Sequence, residues 1–274
     1  MTKQFSDPQW LRDKQYKDAS NLEKRVALHQ RFSTNPQGWH QWVFSRLRIP
    51  DGARVLEVGC GPGLLWAENS SMVSNAWWIT LSDFSPGMVG EAQARLVSHA
   101  SFSFLSCDAQ MIPFSAEQFD AVIANHMLYH VPAVENALQE ISRVLKPAGV
   151  LYATTNGEEH LMQMAEWVRR AARQALSERG NVFPRHMKNF SLQSGWRKLE
   201  RYFRDVQMER YPDSLRVTDP EAIVSFVSSS SVFRLSNDGL DRLRSMLDDE
   251  MDSNGALTIT KDPGMFIARK PHGT

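Results

Sequence analysis

Cysteine is nearly missing from this chain: Cys60 and Cys107 are the two among 274 residues. Neither sits at metal-ligand spacing, and together they make no disulfide framework. A structural metal site and a stapled secreted scaffold are therefore not expected, and free thiols in a reducing compartment are. An excess of charge of one sign is missing too, since 31 Lys and Arg balance 31 Asp and Glu. That removes the bulk attraction on which nucleic-acid or anionic-membrane binding draws. No apolar run approaches the roughly 18 residues of a membrane helix. The first ten residues are polar, without the apolar core of a signal peptide, so the expected place is the cytoplasm. No internal repeat occurs, low complexity is confined to the serines at 228–231, and nothing specifies an oligomer. What remains is 42% hydrophobic and 23% charged, a composition that can bury a real core. The expected partner is a small-molecule substrate, with no nucleic acid, membrane or metal.

The pattern of elements is informative. Residues 6–48 read as helices with short breaks. Asn21 is placed to cap a helix through Arg31, and Trp39, Trp42, Val43 and Leu47 recur at helical spacing. Strands are expected at 53–58, 77–81, 102–106, 119–124 and 150–155. Between them, helices are expected from Leu64, from Ser85-Pro86 to Ser98, and from Pro132 to Leu145. Strands alternating with helices over short connections argue for an α/β fold with a parallel sheet and helices on both faces. From 157 the rhythm changes. A long helix is marked by Leu161, Ala165, Val168, Ala172, Ala175 and Leu176, and a second covers 191–202. A strand follows at 206–211. Thr218-Asp219-Pro220 caps another helix, and a further helix covers 237–252. Strands are expected at 256–260 and 264–270. The expected division is an N-terminal helical cover at 1–48, a ligand-binding core at 49–156, and a helical insertion with closing strands at 157–274.

Four strand ends carry chemistry. The first strand ends in Val55-Leu56-Glu57-Val58-Gly59-Cys60-Gly61-Pro62-Gly63, whose glycines let backbone pass close to a ligand. After the second comes Asp83-Phe84-Ser85-Pro86-Gly87-Met88, after the third Cys107-Asp108-Ala109, and after the fourth Asn125-His126-Met127-Leu128-Tyr129-His130-Val131. In open α/β sheets ligands gather at such carboxyl ends. As a set these segments, with Arg143 to Leu151, resemble the class I S-adenosylmethionine-dependent methyltransferases, especially the group related to ubiquinone biosynthesis. The resemblance covers residues 50–155 and departs at Ala148, where glycine is usual.

That resemblance implies a Rossmann-like, seven-stranded, mostly parallel sheet and S-adenosyl-L-methionine as cofactor. It implies cofactor contacts from Glu57, Gly59, Cys60, Gly61 and Gly63, with Asp83 on the ribose hydroxyls. Phe84 and Met88 would flank the adenine, and Asp108 and Ala109 would meet its edge. Asn125 and His126 would lie beside the methionine part, largely through backbone. His130 could face the substrate, or pack beneath the next helix. Transfer of a methyl from a sulfonium needs alignment above all, which can supply ~7–11 kcal/mol. A hydroxyl or acidic-carbon acceptor would gain a further ~10²–10⁴-fold from a base, for which His130 and His126 are candidates.

Tyr16, Trp39, Tyr129, Trp167, Phe183, Phe190, Trp196 and Tyr211 are candidate pocket walls, though most would be core. Arg25, Arg31, Arg169 and Arg173 could bind an acidic group. Three other readings stay open. One is an NAD(P)-dependent oxidoreductase, disfavoured by Leu64 at the last position of the G-x-G-x-x-G fingerprint and by the missing Tyr-x-x-x-Lys pattern. Another is a nucleic-acid methyltransferase, supported only by twelve Lys or Arg against eight Asp or Glu in 157–216. The last is a cofactor binder without catalysis.

Overall fold

The computed structural model describes residues 20–97, 101–172, 189–230, 233 and 235–271. Five strands run parallel: β1 (Arg54–Val58), β2 (Trp78–Asp83), β3 (Phe102–Ser106), β4 (Phe119–Asn125) and β5 (Leu145–Asn156). Two antiparallel strands complete the sheet, β9 (Pro263–Arg269) against β5 and β6 (Arg204–Arg210) against β9. The order β3-β2-β1-β4-β5-β9-β6 makes seven strands. The chain lays β1, β2 and β3 outward in one direction and then returns to place β4 on the other side of β1. A crevice opens at the carboxyl ends where the order reverses.

Alternation along the strands supplies both layers. Leu56 and Val58 of β1 pack with Val122, Ala124 and Leu151 against helix α5 (Val134–Val144). Val55, Ile79, Leu81 and Ile123 face the other way. They pack against α2 (Trp39–Phe44), α3 (Leu64–Ala67) and α4 (Pro86–Leu96). Helix α4 starts as expected, with Ser85 as its cap and Pro86 in its first turn. On the first layer α7 (Leu192–Leu199) adds Leu192 and Leu199.

A third core lies over the sheet's carboxyl edge. It joins α1 (Ser20–Phe32), α6 (Met162–Ala171), α8 (Pro220–Ser229) and α9 (Asn237–Asp249) with a two-stranded sheet of β7 (Ser214–Val217) and β8 (Leu257–Thr260). Leu28 and Phe32 of α1 are buried among residues of the insertion, such as Trp167, Leu215 and Phe226. The N-terminal cover thus shares its packing with the segment after β5.

Several boundaries differ from the sequence reading. Asn21 lies inside α1 rather than capping it. The fifth strand, expected from 150, begins at Leu145 and takes in the Lys146-Pro147-Ala148-Gly149 segment. The register of β4 against β5 shifts there, Ala148 takes φ +61°, and Lys146 pairs with Asp120 at 2.7 Å. An irregularity of this kind absorbs extra residues without ending the strand. The strand at 257–260 pairs with β7, a strand not expected from sequence, instead of joining the main sheet. The expected helix continuation at Ala175 and Leu176, and the expected residues Tyr16, Phe183 and Arg173, lie outside the described residues, as does the side chain of Arg25.

Candidate functional site

Register brings the strand ends level. Val58 stands beside Ser82, Asp83 beside Ser106, and Asn125 beside Thr154. A cavity of about 740 Å³ opens over them, roofed by α1, α2 and the insertion. Small-molecule sites typically hold ~300–1,000 Å³, and this one is of that size.

The floor is built by the glycine loop and its neighbours. Gly59 has φ +68°, and a Cβ there would lie 2.6 Å from the Cβ of Met127. Gly61 has φ +53°, and a Cβ there would meet nothing, because it would project into open space. The first glycine is needed for packing, and the second leaves room for a ligand against the backbone. Gly59→Ala should therefore destabilise the fold by about 1–3 kcal/mol through overpacking, read by chemical denaturation. An unchanged midpoint would mean that Met127 moves aside freely.

Asp83 locks the loop to β2. One carboxylate oxygen accepts from the Gly61 N–H at 3.0 Å and the other from the Ser85 N–H at 2.8 Å. Burial raises its pKa, and those backbone donors oppose the rise. A carboxylate has about four lone-pair sites, and with the Phe84 N–H also bearing on Asp83 capacity remains for a ribose hydroxyl. Phe84 at the mouth and buried Met88 both line the cavity, as do Asp108 and Ala109. The Asp108 carboxylate is oriented by the Gln110 N–H at 2.9 Å and by the Gln110 amide. Cys60 lines the cavity as a neutral thiol, its pKa pushed up by burial and then by Glu57 and Asp83. These residues fit S-adenosylmethionine: an open cradle at Gly61, spare acceptors at Asp83 and Asp108, and apolar walls for a flat ring.

Two expected cofactor residues stand elsewhere. Glu57 is 1% exposed and does not line the cavity. It accepts a hydrogen bond from the Trp66 indole at 2.6 Å. The period of two along β1 turns its side chain into the helix layer, away from the strand tip. Gly63 also lies off the lining, where it forms the left-handed cap of α3 against Ala92 and Leu96.

At the end of β4, Asn125 and His126 line the cavity. The Thr154 hydroxyl donates to the Asn125 side-chain oxygen at 2.6 Å and accepts from the His126 N–H at 2.9 Å. His126 has φ +54°, a conformation rare outside glycine. Its ring lies 4.8 Å from that of Trp39. Burial, with His40 and Lys261 adding to it, pushes its pKa down to about 3. His130 lines the same cavity from the short turn after β4, its ring 4.5 Å from that of Tyr129.

Of the expected aromatic walls, Trp39, Tyr129 and Tyr211 line the cavity. Trp167 and Phe190 are core, and Trp196 bonds to Glu200 on α7. Arg31 and Arg169 are taken by Asp219 and Glu166. The sequence reading missed His29, His160, Asn156 and Lys261, which line the roof side. No local motif marks them: His29, His160 and Lys261 are lone polar residues in the flanks, and Asn156 ends β5 without a motif of its own.

Lys261 and Asp213 form an ion pair with side-chain exposures of 6% and 0%. Asp213 also accepts from the Ser33 hydroxyl at 2.6 Å and from the Thr34 and Asn35 N–H groups, both at 3.0 Å. That hub ties the segment after α1 to the segments before β7 and after β8. Among the described residues no cluster of His, Cys, Asp or Glu is arranged to hold a metal. No described helix is long and apolar enough to cross a membrane.

Comparison with known proteins agrees with the geometry. Residues 56–153 match the family described as "Methyltransferase domain". A malonyl-[acyl-carrier protein] O-methyltransferase of Enterobacter lignolyticus is 32% identical over 127 residues, 45% of this chain and 47% of that protein. A ubiquinone/menaquinone biosynthesis C-methyltransferase of Cellvibrio japonicus is 28% identical over 125 residues, 44% of this chain and 50% of that one. The chain thus spans about half the length of these curated relatives. A phosphoethanolamine N-methyltransferase of Haemonchus contortus, solved with S-adenosylhomocysteine, shares the fold. Its TM-score is 0.60 at 19% identity, covering 98% of this chain and 60% of that one. Sheet order, strand-end motifs and the matched segment agree: residues 56–153 match a methyltransferase domain.

Proposed function

We propose that the chain is an enzyme that moves a methyl group from S-adenosylmethionine to a small molecule held in the same cavity. The observation that carries this is the convergence of Gly61, Asp83, Asp108 and Asn125 on one large cavity. Gly59, Cys60 and Gly61 would hold the methionine part, Asp83 the ribose, and Phe84, Met88, Asp108 and Ala109 the adenine. Bound there, the cofactor would supply an activated methyl on a positively charged sulfur. The chain's own work is alignment and the exclusion of water by the roof, and alignment can supply ~7–11 kcal/mol. Where the acceptor must lose a proton, His126 and His130 are the histidines at the β4 end. The cytoplasm suits this reading, because both cysteines are free thiols.

The dinucleotide reading gains nothing from the structure. Helix α3 is a single turn of four residues, a poor source of the aligned dipoles that hold a pyrophosphate.

The test is Asp83→Ala. Titration calorimetry should show S-adenosylmethionine binding weakened by about 1–3 kcal/mol, the range for a lost buried acceptor. Tight binding of NADH, or unchanged S-adenosylmethionine affinity in the folded variant, would count against the assignment.

A further inference from the structure

Three buried polar atoms on the roof side of the cavity have no hydrogen-bond partner: Trp39 Nε1, His126 Nδ1 and Asn156 Oδ1. An unsatisfied buried group is costly, and native structures keep few of them. Three around one chamber ask for a ligand that both donates and accepts. Resting on the methyltransfer reading, we propose that the acceptor is a neutral hydroxyl compound of the phenol or enol type. His126 takes its proton, while Trp39 and Asn156 hold its polar groups.

His126 is placed for that role. Its backbone is fixed by Thr154 and its ring by Trp39, at the seam between the strand-end floor and the roof. A left-handed non-glycine residue is strained, and such strain is commonest at functional sites. Neither ring nitrogen is engaged among the described residues, so one can accept. His160 is differently placed. Its Nδ1 accepts from the Asp262 N–H at 3.2 Å, which puts the ring proton on Nε2 and leaves no free acceptor nitrogen.

Charge narrows the acceptor further. The groups that bear on His126 are His40, which is bonded to Glu68 at 2.9 Å, and Lys261, with His160 beyond. Lys261 is the one lysine or arginine on the described lining, and Asp213 already matches it. An anionic acceptor would find no unmatched side-chain cation to hold it here. An ammonium would be repelled by the sulfonium, since the Lys261–Asp213 pair is already neutral. A neutral hydroxyl with a proton to give up meets neither penalty.

The step conserves charge. The acceptor oxygen forms its bond to the methyl carbon as the carbon–sulfur bond breaks and its electron pair stays on sulfur. The oxygen–hydrogen bond breaks and the proton passes to a His126 ring nitrogen. One positive charge leaves sulfur as one appears on the imidazole, so the chamber never holds an extra charge, which low-dielectric surroundings penalise heavily. Burial keeps His126 unprotonated beforehand and opposes its protonation; a sulfonium bound in the same cavity would add to that opposition, and its loss on transfer removes that part.

The experiment begins with calorimetry, because no binding of S-adenosylmethionine would overturn the reading beneath. Methyl transfer from labelled cofactor is then measured to phenol, 4-nitrophenol, benzoate and aniline. Phenol should be methylated in preference to benzoate or aniline. His126→Asn keeps a residue that tolerates the left-handed backbone. It should lower kcat for phenol ~10²–10⁴-fold at pH 7 with KM changed less than about threefold. The loss should shrink to under ~10-fold with 4-nitrophenol, which ionises near neutrality without a base. A readout independent of turnover is ¹⁵N resonance of the histidine rings. Phenol added with S-adenosylhomocysteine should move one signal that the His126→Asn spectrum lacks. Trp39→Phe should weaken phenol binding to that complex about tenfold, and this decides the matter if His126→Asn does not fold. Equal losses on both phenols, an unchanged kcat, or transfer to benzoate or aniline alone would overturn the proposal. So would cofactor binding with no methylated phenol and no moved resonance.

Discussion

Asp213→Ala should destabilise this protein by about 3–5 kcal/mol, the cost of leaving one member of a buried ion pair without its partner. The Lys261 ammonium is 6% exposed, and Asp213 is its one carboxylate partner among the described residues. Burial already lowers the Lys261 pKa, with Asp213 opposing that fall. The reverse change should cost less. In Lys261→Met the carboxylate keeps the Ser33 hydroxyl and the Thr34 and Asn35 amides as donors, so its charge stays solvated by the chain. The double variant Asp213→Asn with Lys261→Met retains an acceptor for those donors and removes both charges. It should regain most of the loss, since neutral replacement of a buried pair is often tolerated. Urea denaturation of these proteins, with the single variant Asp213→Asn added to close the cycle, gives the coupling. Equal losses for the two single variants would show that the pair is solvated and that the asymmetry is not real.

The same pair bears on function through position. Asp213 joins the loop after α1 to the insertion, and Lys261 lines the cavity that those segments roof. Loosening it should expose the chamber to water before the sheet itself unfolds.

The strand ends could be read from sequence because each is a short contiguous motif at the tip of a hydrophobic run. Gly59, Asp83, Asp108 and Asn125 need only the parallel order of β1 to β4 to meet, and short alternating elements leave few other topologies. The roof could not be read in this way. His29, Asn156 with His160, and Lys261 come from three segments far apart in the chain: α1, the end of β5 and the turn after it, and the residue after β8. Strand β7 escaped notice because four residues, Ser214–Val217, carry too little periodicity to stand out. The Lys146-Pro147-Ala148-Gly149 segment reads as the end of a helix, yet β5 begins before it, because Leu145 already pairs with Phe119 and the pairing resumes at Val150. Glu57 was misplaced for a simpler reason. It shares a face of β1 with Val55, which packs into the same layer as Trp66, so the alternation already directed it under the helices.

That misplacement leads to a pH effect of comparable size. Burial raises the Glu57 carboxyl to about 8, the Trp66 hydrogen bond opposing and Asp83 adding to the rise. A folded-state value above the unfolded one means that the native chain binds the extra proton. The stabilisation is complete below pH 4.5 and is lost as pH climbs through about 8. Each pH unit across that window costs about 1.4 kcal/mol, so the whole window holds on the order of 5 kcal/mol. Glu57→Gln keeps an acceptor oxygen for the Trp66 indole and cannot ionise. Its stability relative to the parent should be level below pH 5 and should gain about 2–3 kcal/mol between pH 6 and pH 8. Denaturation at matched pH values measures this without assigning the protein's other titrations, because they cancel in the difference. A constant gap from pH 5 to pH 9 would mean that Glu57 reaches water or a cation on ionising. The packing behind the glycine loop would then be looser than its 1% exposure implies.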